Sequence, residues 1–433
     1  MTWNFHGYYT NRSEGLISKL TLKSAQSEAL KSLRKCVRVR IKEVFEEAKE
    51  LVRASYNSSL SFEELEAKVM NTKIKYLNSE AQSEVIQLLQ GMDEVTRQEF
   101  VGLTPRFWTQ GSFQYETLNN PHKFPPQEMD IDDGTYLPMT IFENEPRIGH
   151  RILLLLVDSS LKSLVAENDG WLFEEKNTCA RIKIPSAHTH IDVPMYAIPV
   201  QQFLQKQVAL EALRKKSFES YDQFADTWIS NSAMYEVDSE CVNLAMRNGE
   251  KRWINSDPKI IEDWFNESCR RIGRHLRKVC RFMKAWRDAQ WDKGGPSSIA
   301  LMAATVSILD RFTHDKNDLG ATMRLLAERL PEEFAHGVES PDHTDEKLLF
   351  PNSSEHGERE LEVINKLYQL KKILVDAEVT ESKELALQTM SLAFGDRVTN
   401  SDLIVKKQSA AAFAHEPSSS SDAKKISTTM SSG

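Results

Sequence analysis

Three aspartates near the middle of the chain have the spacing of a metal-binding site. Asp130 and Asp132 lie two residues apart in a β-prone run, and Asp192 lies in another such run about 60 residues later. In a strand, residues i and i+2 point to the same face about 7 Å apart, so their carboxylates can converge on one centre. Hard oxygen ligands suit Mg²⁺, and two ions about 4 Å apart can activate a hydroxyl and neutralise a leaving phosphate group. The sequence therefore predicts a site for two Mg²⁺ ions, or for Mn²⁺ in their place.

A glycine–serine pair precedes the aspartates and is a candidate phosphate-binding turn. Gly111 lets the backbone approach a phosphate closely, and a helix beginning at Ser112 would direct free N–H groups at it. Either motif alone is most often a solvated turn. Asp130 follows Ser112 by 18 residues, and the order and spacing of the whole set resemble the polymerase-β-like nucleotidyltransferase superfold.

A second metal-binding pattern overlaps the first. His188, His190 and Asp192 alternate along one β-prone run, a layout found in zinc and iron hydrolases. Such sites need further ligands downstream, and none follows at close spacing. We favour a solvated strand end for His188.

Hydrophobic periodicity indicates the elements that must position these residues. Apolar residues recur every three or four positions over 24–56, which predicts a long amphipathic helix. Short β-prone runs, interrupted by one helix over about 148–166, predict a mixed sheet within 106–199. Further apolar stripes predict one helix over 263–290 and another over 297–311.

Length and composition favour a folded protein of two lobes. The chain has 433 residues, 40% of them hydrophobic, and a net charge of −8. No run approaches the roughly 20 apolar residues of a membrane span, and no secretion signal is recognisable, so we expect a cytoplasmic protein. Five scattered cysteines disfavour structural zinc and disulfides. The acidic charge disfavours a polynucleotide ligand.

We predict an α+β, bilobal nucleotidyltransferase fold in four segments. Residues 1–100 would form N-terminal helices including a spine helix, and 101–200 the catalytic sheet lobe. Residues 201–404 would form a helical lobe. The Ala-, Ser- and Lys-rich segment 405–433 would be a flexible tail, because it has little apolar area to bury.

Three segments give a closer resemblance. WTQGSFQY at 108–115, QEMDIDDGTY at 127–136 and THIDVPMYAIP at 189–199 are similar to the bacterial cGAS/DncV-like (CD-NTase) family, and in particular to its cyclic GMP-AMP synthases. The likeness extends over essentially the whole chain. It implies that one active site is used twice to join ATP and GTP into 3′3′-cyclic GMP-AMP with release of pyrophosphate. The product would be a second messenger that activates an effector in antiphage (CBASS) signalling.

Two other functions within reach of the same residues remain open. One is a nucleotidyltransferase of the same superfold that makes a different cyclic dinucleotide or modifies RNA or protein. The other is a nucleotide sensor without catalysis, which a complete set of three acids disfavours. A nucleic-acid activator is not expected, because the chain lacks the Cys/His insert that animal relatives use.

The resemblance also implies roles for single residues. Asp192 would help to deprotonate the attacking 3′-hydroxyl. Arg181 would contact the phosphates of the acceptor nucleotide, and Asp345 would accept hydrogen bonds from a guanine edge. The remaining nucleotide contacts would be Gln110, Gly111, Ser112, Tyr115, Lys284 and Ser298.

A basic ridge follows the first long helix. Arg34, Arg38 and Lys42 are spaced at i, i+4 and i+8, with Arg40 nearby. Such a run is most often a solvated face, but the resemblance implies a folate-like inhibitor bound on the side opposite the active site, and folate polyglutamates are anionic. The ridge is therefore a candidate regulatory anion site.

The C-terminal residue is the last candidate. The resemblance implies that a ubiquitin-transfer-like enzyme conjugates some family members through a C-terminal glycine, which here is Gly433. A disordered end without function is the alternative.

Overall fold

The computed structural model describes residues 2–58, 60–142, 145–146, 149–200, 242–249, 252–343 and 347–407, and the structural statements below refer to these ranges. The helices are α1 (His6–Thr10), α2 (Leu16–Leu20), α3 (Ser24–Ser58), α4 (Phe62–Val69), α5 (Ser79–Gln90), α6 (Glu94–Gly102), α7 (Gly111–Gln114), α8 (His150–Glu167), α9 (Pro258–Ile272), α10 (His275–Gln290), α11 (Ser298–Arg311), α12 (Leu319–His336), α13 (Glu358–Val379) and α14 (Lys383–Phe394). The strands are β1 (Trp3–Asn4), β2 (Arg106–Gln110), β3 (Met129–Met139), β4 (Ile141–Phe142), β5 (Glu145–Pro146), β6 (Leu172–Glu175), β7 (Ala180–Ile184), β8 (Thr189–Val193), β9 (Met195–Pro199), β10 (Asn243–Ala245), β11 (Trp253–Asn255) and β12 (Val405–Lys406).

The sheet lobe is an eight-stranded mixed sheet covered by helices α3 and α8. Strand β3 lies at its centre and pairs in parallel with β8 and then with β9, in one continuous register. Pro194 separates those two strands because proline has no N–H for the ladder, yet its carbonyl still accepts a bond from Thr135 N at 2.8 Å. The other edge of β3 pairs with β2 in antiparallel fashion.

The long helix predicted from periodicity is confirmed as α3. Its buried residues are spaced by three and four, so one stripe faces the sheet lobe throughout its length. The predicted helix within the sheet region is confirmed as α8, which is buried on nearly every side. The two helices pack against each other in one hydrophobic core with the sheet.

A second hydrophobic core lies in the helical lobe, and it includes residues from the beginning of the chain. Helices α9 to α14 pack together with Trp3, Tyr8 and Tyr9, which are almost fully buried there. Strand β1 pairs with β12, where Trp3 faces Lys406. The first 20 residues therefore belong to the helical lobe, and 405–406 form a strand rather than the start of a tail.

Two further predicted boundaries were wrong. The single helix over 263–290 is two helices, α9 and α10, because Gly273 ends the first with a φ of +130°, which side chains rarely adopt. The segment assigned wholly to helix after residue 200 supplies strands β10 and β11 to the catalytic sheet. No helix within the described ranges is both long and apolar enough to cross a bilayer.

A buried ion pair fastens α8 to the turn after β10. Asp158 and Arg247 have side chains that are 4% and 8% exposed, and Arg247 Nη1 donates to Asp158 Oδ2 at 2.8 Å. The backbone of the same turn bonds to Asn177. Because both charges are withdrawn from water, each depends on the other.

We predict that Asp158→Ala lowers the free energy of unfolding by about 3–5 kcal/mol, since buried Arg247 would keep only Glu175, at 3.9 Å, as a carboxylate partner. Glu28→Ala is the matched control, because it removes the exposed Lys31–Glu28 pair and should cost less than about 1 kcal/mol. Urea unfolding followed by circular dichroism measures both. Equal losses in the two variants would contradict a structural role for the buried pair.

Candidate active site

The pairing of β3 with β8 brings the three predicted acids to one face of the sheet. Asp132 lies directly beside Asp192 in the parallel register, and neighbouring strands are about 4.8 Å apart. Asp130 is two residues before Asp132 on the same strand, so it shares that face. On the other side of Asp192, strand β7 places Arg181 in the same row.

The pKa of Asp132 is raised by burial and by the crowding of like charge. Burial raises this pKa well above its usual value, and the nearby negative charges of Asp130 and Asp192 raise it further. The cations Arg181 and Lys284 act in the opposite direction but do not cancel the effect. The charged form of Asp132 is therefore disfavoured in its present surroundings.

The guanidinium of Arg181 is paired with the third acid, Asp192. Its Nε and Nη2 donate to the two carboxylate oxygens of Asp192 at 2.5 and 2.7 Å, a bidentate pair. The hydrogen bonds that Arg181 donates to Asp192 raise the pKa of Arg181. The resemblance placed Arg181 on acceptor phosphates, whereas here its guanidinium holds Asp192.

The three acids supply oxygen ligands of the kind that a divalent metal ion requires. Among the described residues, no three His, Cys, Asp or Glu side chains stand close enough to hold a metal ion as they are. The reason is visible at Asp192, whose oxygens are turned to Arg181. The donor set itself fits a divalent cation, because three carboxylates share one face and a cation would stabilise the charged form of Asp132, which burial and the two neighbouring acids disfavour.

The glycine–serine turn lies against these acids. Gly111 has a φ of +65°, and a Cβ added to it would stand 2.1 Å from Asp132 Oδ2, so only glycine fits. The predicted helix begins here as α7. Ser112 Oγ lies 3.4 Å from Asp130 Oδ1. Turn and acids thus form a single surface.

Gln110 and Tyr115 are placed on either side of that turn. The Gln110 side chain is buried, donating to the Tyr136 hydroxyl at 3.0 Å and accepting from Tyr196 at 3.2 Å. It braces the face that carries the acids. Tyr115 is half-buried against Phe265, with ring centroids 6.0 Å apart, and burial raises its pKa.

A cavity of about 270 Å³ joins the sheet face to the helical lobe. It is lined by Asp130, Lys284 and Ser298 among other residues. Lys284 is buried and donates to the carbonyl of Thr117 at 3.0 Å, and burial lowers its pKa although Asp130 opposes this. Arg287 Nη1 donates to Ser298 Oγ at 2.8 Å. The wall is suited to phosphate oxygens.

Several residues that line this cavity were not predicted as nucleotide contacts, among them Glu128, His190 and Arg287. The alternation of side chains along a strand could have indicated Glu128 and His190. Glu128 precedes Asp130 by two residues and His190 precedes Asp192 by two, so each continues the face of its aspartate. Arg287 follows Lys284 by three residues, one turn along α10.

The histidine-based hydrolase pattern does not form. His188 lies in the turn before β8 with a φ of +48°, and its ring packs on Phe124 with centroids 4.6 Å apart. His190 is bonded to Glu128 instead. The two histidines therefore do not share a ligand position.

The basic ridge of α3 faces the opposite side of the sheet, and its residues differ in their surroundings. Arg34 and Arg38 both donate to Thr109 Oγ1, at 2.7 and 3.0 Å, and Arg38 also pairs with buried Asp133. Burial lowers the pKa of Arg34, with the neighbouring charge of Arg38 acting in the same direction. Exposed Lys42 lies 5.7 Å from the Phe107 ring centroid.

Arg40 points elsewhere and does not extend this ridge. It bonds Ser163 and Glu167 of α8 at 2.6 Å or slightly longer. Two residues along a helix correspond to about 200° of rotation, which turns Arg40 away from Arg38. Asp345 and Gly433 lie outside the described residues.

Comparison with known proteins gives the same picture over the full length. Two family descriptions match: "Cyclic GMP-AMP synthase DncV-like, nucleotidyltransferase domain" over 105–196, and "Cyclic GMP-AMP synthase, C-terminal domain" over 273–407. A cyclic GMP-AMP synthase of Vibrio cholerae serotype O1 is 62% identical over 437 aligned positions, covering 100% of each chain. One from Escherichia coli is 54% identical, again covering 100% of both.

Solved structures agree with the sequences. V. cholerae DncV in complex with the linear intermediate pppA(3′,5′)pG is similar with a TM-score of 0.86 and 59% identity, covering 94% of this chain and 100% of that one. DncV in complex with GTP and 5MTHFGLU2 has a TM-score of 0.87 and 61% identity, covering 94% and 99%. Together with the row of acids and the glycine turn, these matches show that the chain belongs to the DncV-like cyclic GMP-AMP synthase family of nucleotidyltransferases.

Proposed function

We propose that the chain joins ATP and GTP into 3′3′-cyclic GMP-AMP through two 3′–5′ linkages, with release of pyrophosphate. The observation that carries this proposal is the set of three acids on one sheet face beside the Gly111 turn, of which Asp130 also lines a cavity that contains Lys284 and Ser298. The full-length relatives bear this activity in their names. The first linkage gives a linear dinucleotide, which turns round in the same site and is cyclised.

We infer that Asp130, Asp132 and Asp192 hold the divalent cations, with two Mg²⁺ ions in each site. When bound, such ions lower the pKa of the attacking 3′-hydroxyl and neutralise charge on the leaving pyrophosphate. The chain supplies the acids on a rigid strand pair, so little reorganisation is needed before reaction. Asp192 is the acid best placed to accept the proton of the hydroxyl.

The remaining contacts follow from positions around the acids. Lys284 and Ser298 would bind phosphates from the helical lobe, where Arg287 supports Ser298. Arg181 is a guanidinium and pairs equally well with phosphate or carboxylate. We therefore propose that acceptor phosphates draw Arg181 from Asp192, which frees that carboxylate. Ser112 and the first N–H groups of α7 would face the donor triphosphate, and Tyr115 a nucleobase.

A second candidate is transfer to RNA or protein, or synthesis of a different cyclic dinucleotide. The net charge of −8 does not favour a polynucleotide acceptor. The choice of base depends on a few contacts, each of about 1–3 kcal/mol. Asp345, proposed to read guanine, lies outside the described residues, so mass spectrometry of the product made from all four triphosphates decides the base composition.

A regulatory site on the opposite face is a further proposal. A folate-like ligand accompanies GTP in the V. cholerae relative. Here Arg34 and Lys42 lie beside the rings of Phe113 and Phe107, at 5.8 and 5.7 Å, so cations and aromatic faces stand together as an anionic, ring-bearing ligand requires. Arg38 is held by Asp133 and would act mainly by shaping this surface.

We also propose a cytoplasmic location, a product that activates a downstream effector in antiphage signalling, and conjugation of Gly433 by a ubiquitin-transfer-like enzyme. These rest on the family resemblance, because no described residue bears on them.

We predict that the protein, given labelled ATP and GTP with Mg²⁺ and no other acceptor, forms a cyclic, phosphatase-resistant product. The double variant Asp130→Asn and Asp132→Asn should form none. Its melting temperature at pH 7 should not fall, because the raised pKa of Asp132 means that its charged form opposes folding at neutral pH. Thin-layer chromatography and thermal unfolding measure the two properties. Product from the double variant, or labelled RNA and protein alone, would overturn the proposal.

A second prediction concerns the turn. Gly111→Ala should reduce the rate of product formation by about 100-fold, because its methyl group would displace Asp132 by an ångström or more. Gly102→Ala, at a helix end with no neighbour within 4 Å, should keep the wild-type rate. Initial-rate assays at saturating nucleotide compare them. Similar rates in both variants would disprove the close approach.

A third prediction concerns the opposite face. Arg34→Ala should weaken binding of 5MTHFGLU2 by about 10-fold, the loss expected for one charged contact of roughly 1.4 kcal/mol. Arg40→Ala should leave it unchanged, because Arg40 is committed to Glu167. Calorimetric titration of each variant gives the affinities. Equal effects of the two substitutions would exclude the ridge as the folate-like site.

A further inference from the structure

One carboxylate of the helical lobe contacts both sides of the Gly111 turn. Glu262 lies on α9, and its side chain reaches the sheet lobe. Its Oε2 accepts a hydrogen bond from Trp108 Nε1 at 3.1 Å, and its Oε1 accepts one from the side-chain amide of Gln114 at 2.9 Å. Trp108 stands three residues before Gly111, and Gln114 stands three residues after it. The two bonds therefore hold β2 and α7, the elements on either side of the turn.

Both bonds are made away from water. Glu262 is only 3% exposed, and burial raises its pKa, whereas the hydrogen bonds from Gln114 and Trp108 act in the opposite direction. A buried carboxylate is costly unless its oxygens accept hydrogen bonds. Within the described ranges, Glu262 is also the one acceptor of the Trp108 indole N–H and of the Gln114 amide. The carboxylate and its two donors thus depend on each other.

The turn has little of its own to keep it in place. Helix α7 has four residues, and so short a helix is positioned by its contacts rather than by its internal bonds. A Cβ at Gly111 would stand 2.1 Å from Asp132 Oδ2, so small movements of the turn are felt by that acid. The next residue, Tyr115, packs on Phe265, which follows Glu262 by one turn of α9. Helix α9 therefore supports this segment at two successive residues.

We propose that Glu262 is a positioning residue of the active site, which fixes the Gly111 turn against the catalytic acids by bonding both flanks of the turn to the helical lobe. Glu262 does not line the cavity that contains Asp130 and Lys284, so it acts through its two donors and not on the nucleotide itself. The role requires that the turn binds the donor triphosphate, and the inference therefore rests on the proposed function.

Two substitutions of Glu262 separate its bonds from its bulk. Glu262→Leu removes both acceptors at comparable size, and it should lower kcat by about 10- to 100-fold, because a displacement of about 1 Å misaligns the donor phosphates with the acids. Glu262→Gln should retain most of the wild-type kcat. Its amide oxygen can accept from Trp108, and its amide nitrogen can donate to the Gln114 oxygen once that side-chain amide has turned round.

Asp263→Ala is the matched control. It removes the neighbouring carboxylate of α9, whose partner Lys259 belongs to the same helix, and it should keep the wild-type kcat. Initial rates of the full-length protein with saturating ATP and GTP and Mg²⁺ give kcat for each variant. Melting temperatures show which variants are folded at the assay temperature. Wild-type kcat in Glu262→Leu overturns the inference, as does an equal loss in Glu262→Leu and Glu262→Gln.

A double-mutant cycle tests whether Glu262 acts through α7. Gln114→Leu should lower kcat less than Glu262→Leu does, because the bond to Trp108 remains. Combined with Glu262→Leu, it should cause little further loss, since the two substitutions remove the same bond. Losses that multiply in the double variant contradict the proposed route. Should Glu262→Leu fail to fold, wild-type kcat in Gln114→Leu overturns the inference by itself.

Hydrogen exchange without nucleotide separates this inference from the proposed function. The backbone amides of residues 111–117 should exchange faster in Glu262→Leu than in Asp263→Ala, because the turn opens more often when its flanks are released. Equal exchange in the two variants shows that Glu262 does not hold the turn. A wild-type protein that makes no cyclic product refutes the proposed function, and the exchange rates still decide the contact.

Discussion

The register between β3 and β8 is the constraint on which the rest of the site depends. Parallel pairing sets Asp132 directly beside Asp192, and the helical lobe then needs only to close over one face of the sheet. A shift of one residue would turn Asp192 into the hydrophobic core and bring Ile191 to the surface. Buried Ile131, Ile191 and Val193, packed under α3 and α8, make that shift costly. The catalytic arrangement is thus fixed by the apolar side of the same strands.

Much of this could be predicted from the sequence, because the signals were local. The stripe of α3, the helix α8 and the alternation around Asp130 and Asp132 are each contained in a window of a few turns or residues. The spacing of the acids from Gly111, with the family resemblance, indicated the fold. The position of Arg40 outside the ridge could also have been predicted, since its angular position on α3 separates it from Arg38.

The remaining features depend on contacts between distant residues. Trp3 pairs with Lys406 across nearly the whole chain, and no single-sequence pattern indicates that the first residues complete the helical lobe. Local sequence also does not show which strands lie side by side, so the pairing of Arg181 with Asp192 could not be predicted from the residues near Arg181. The break at Gly273 was missed because the apolar stripe continues through it. Local periodicity cannot distinguish one long helix from two that share a stripe.

The two faces of the sheet are joined through consecutive residues. Asp132 points to the catalytic side, whereas Asp133 points to α3 and is held by Arg38 and by the hydroxyl of Thr109 at 3.0 Å. A ligand that moved the α3 side chains would therefore act on a backbone one peptide bond from a catalytic acid. This gives the proposed regulatory face a short physical connection to the active site, without a rearrangement of the lobes.

The bond between Arg181 and Asp192 has a consequence for how the enzyme is charged before substrate arrives. An acid already paired with an internal guanidinium attracts a free cation less strongly than an unpaired carboxylate would. Triphosphate brings negative charge of its own, and with it a competing partner for the guanidinium. In the proposed mechanism, this ion pair favours a cation delivered already bound to its nucleotide over one captured from bulk solution.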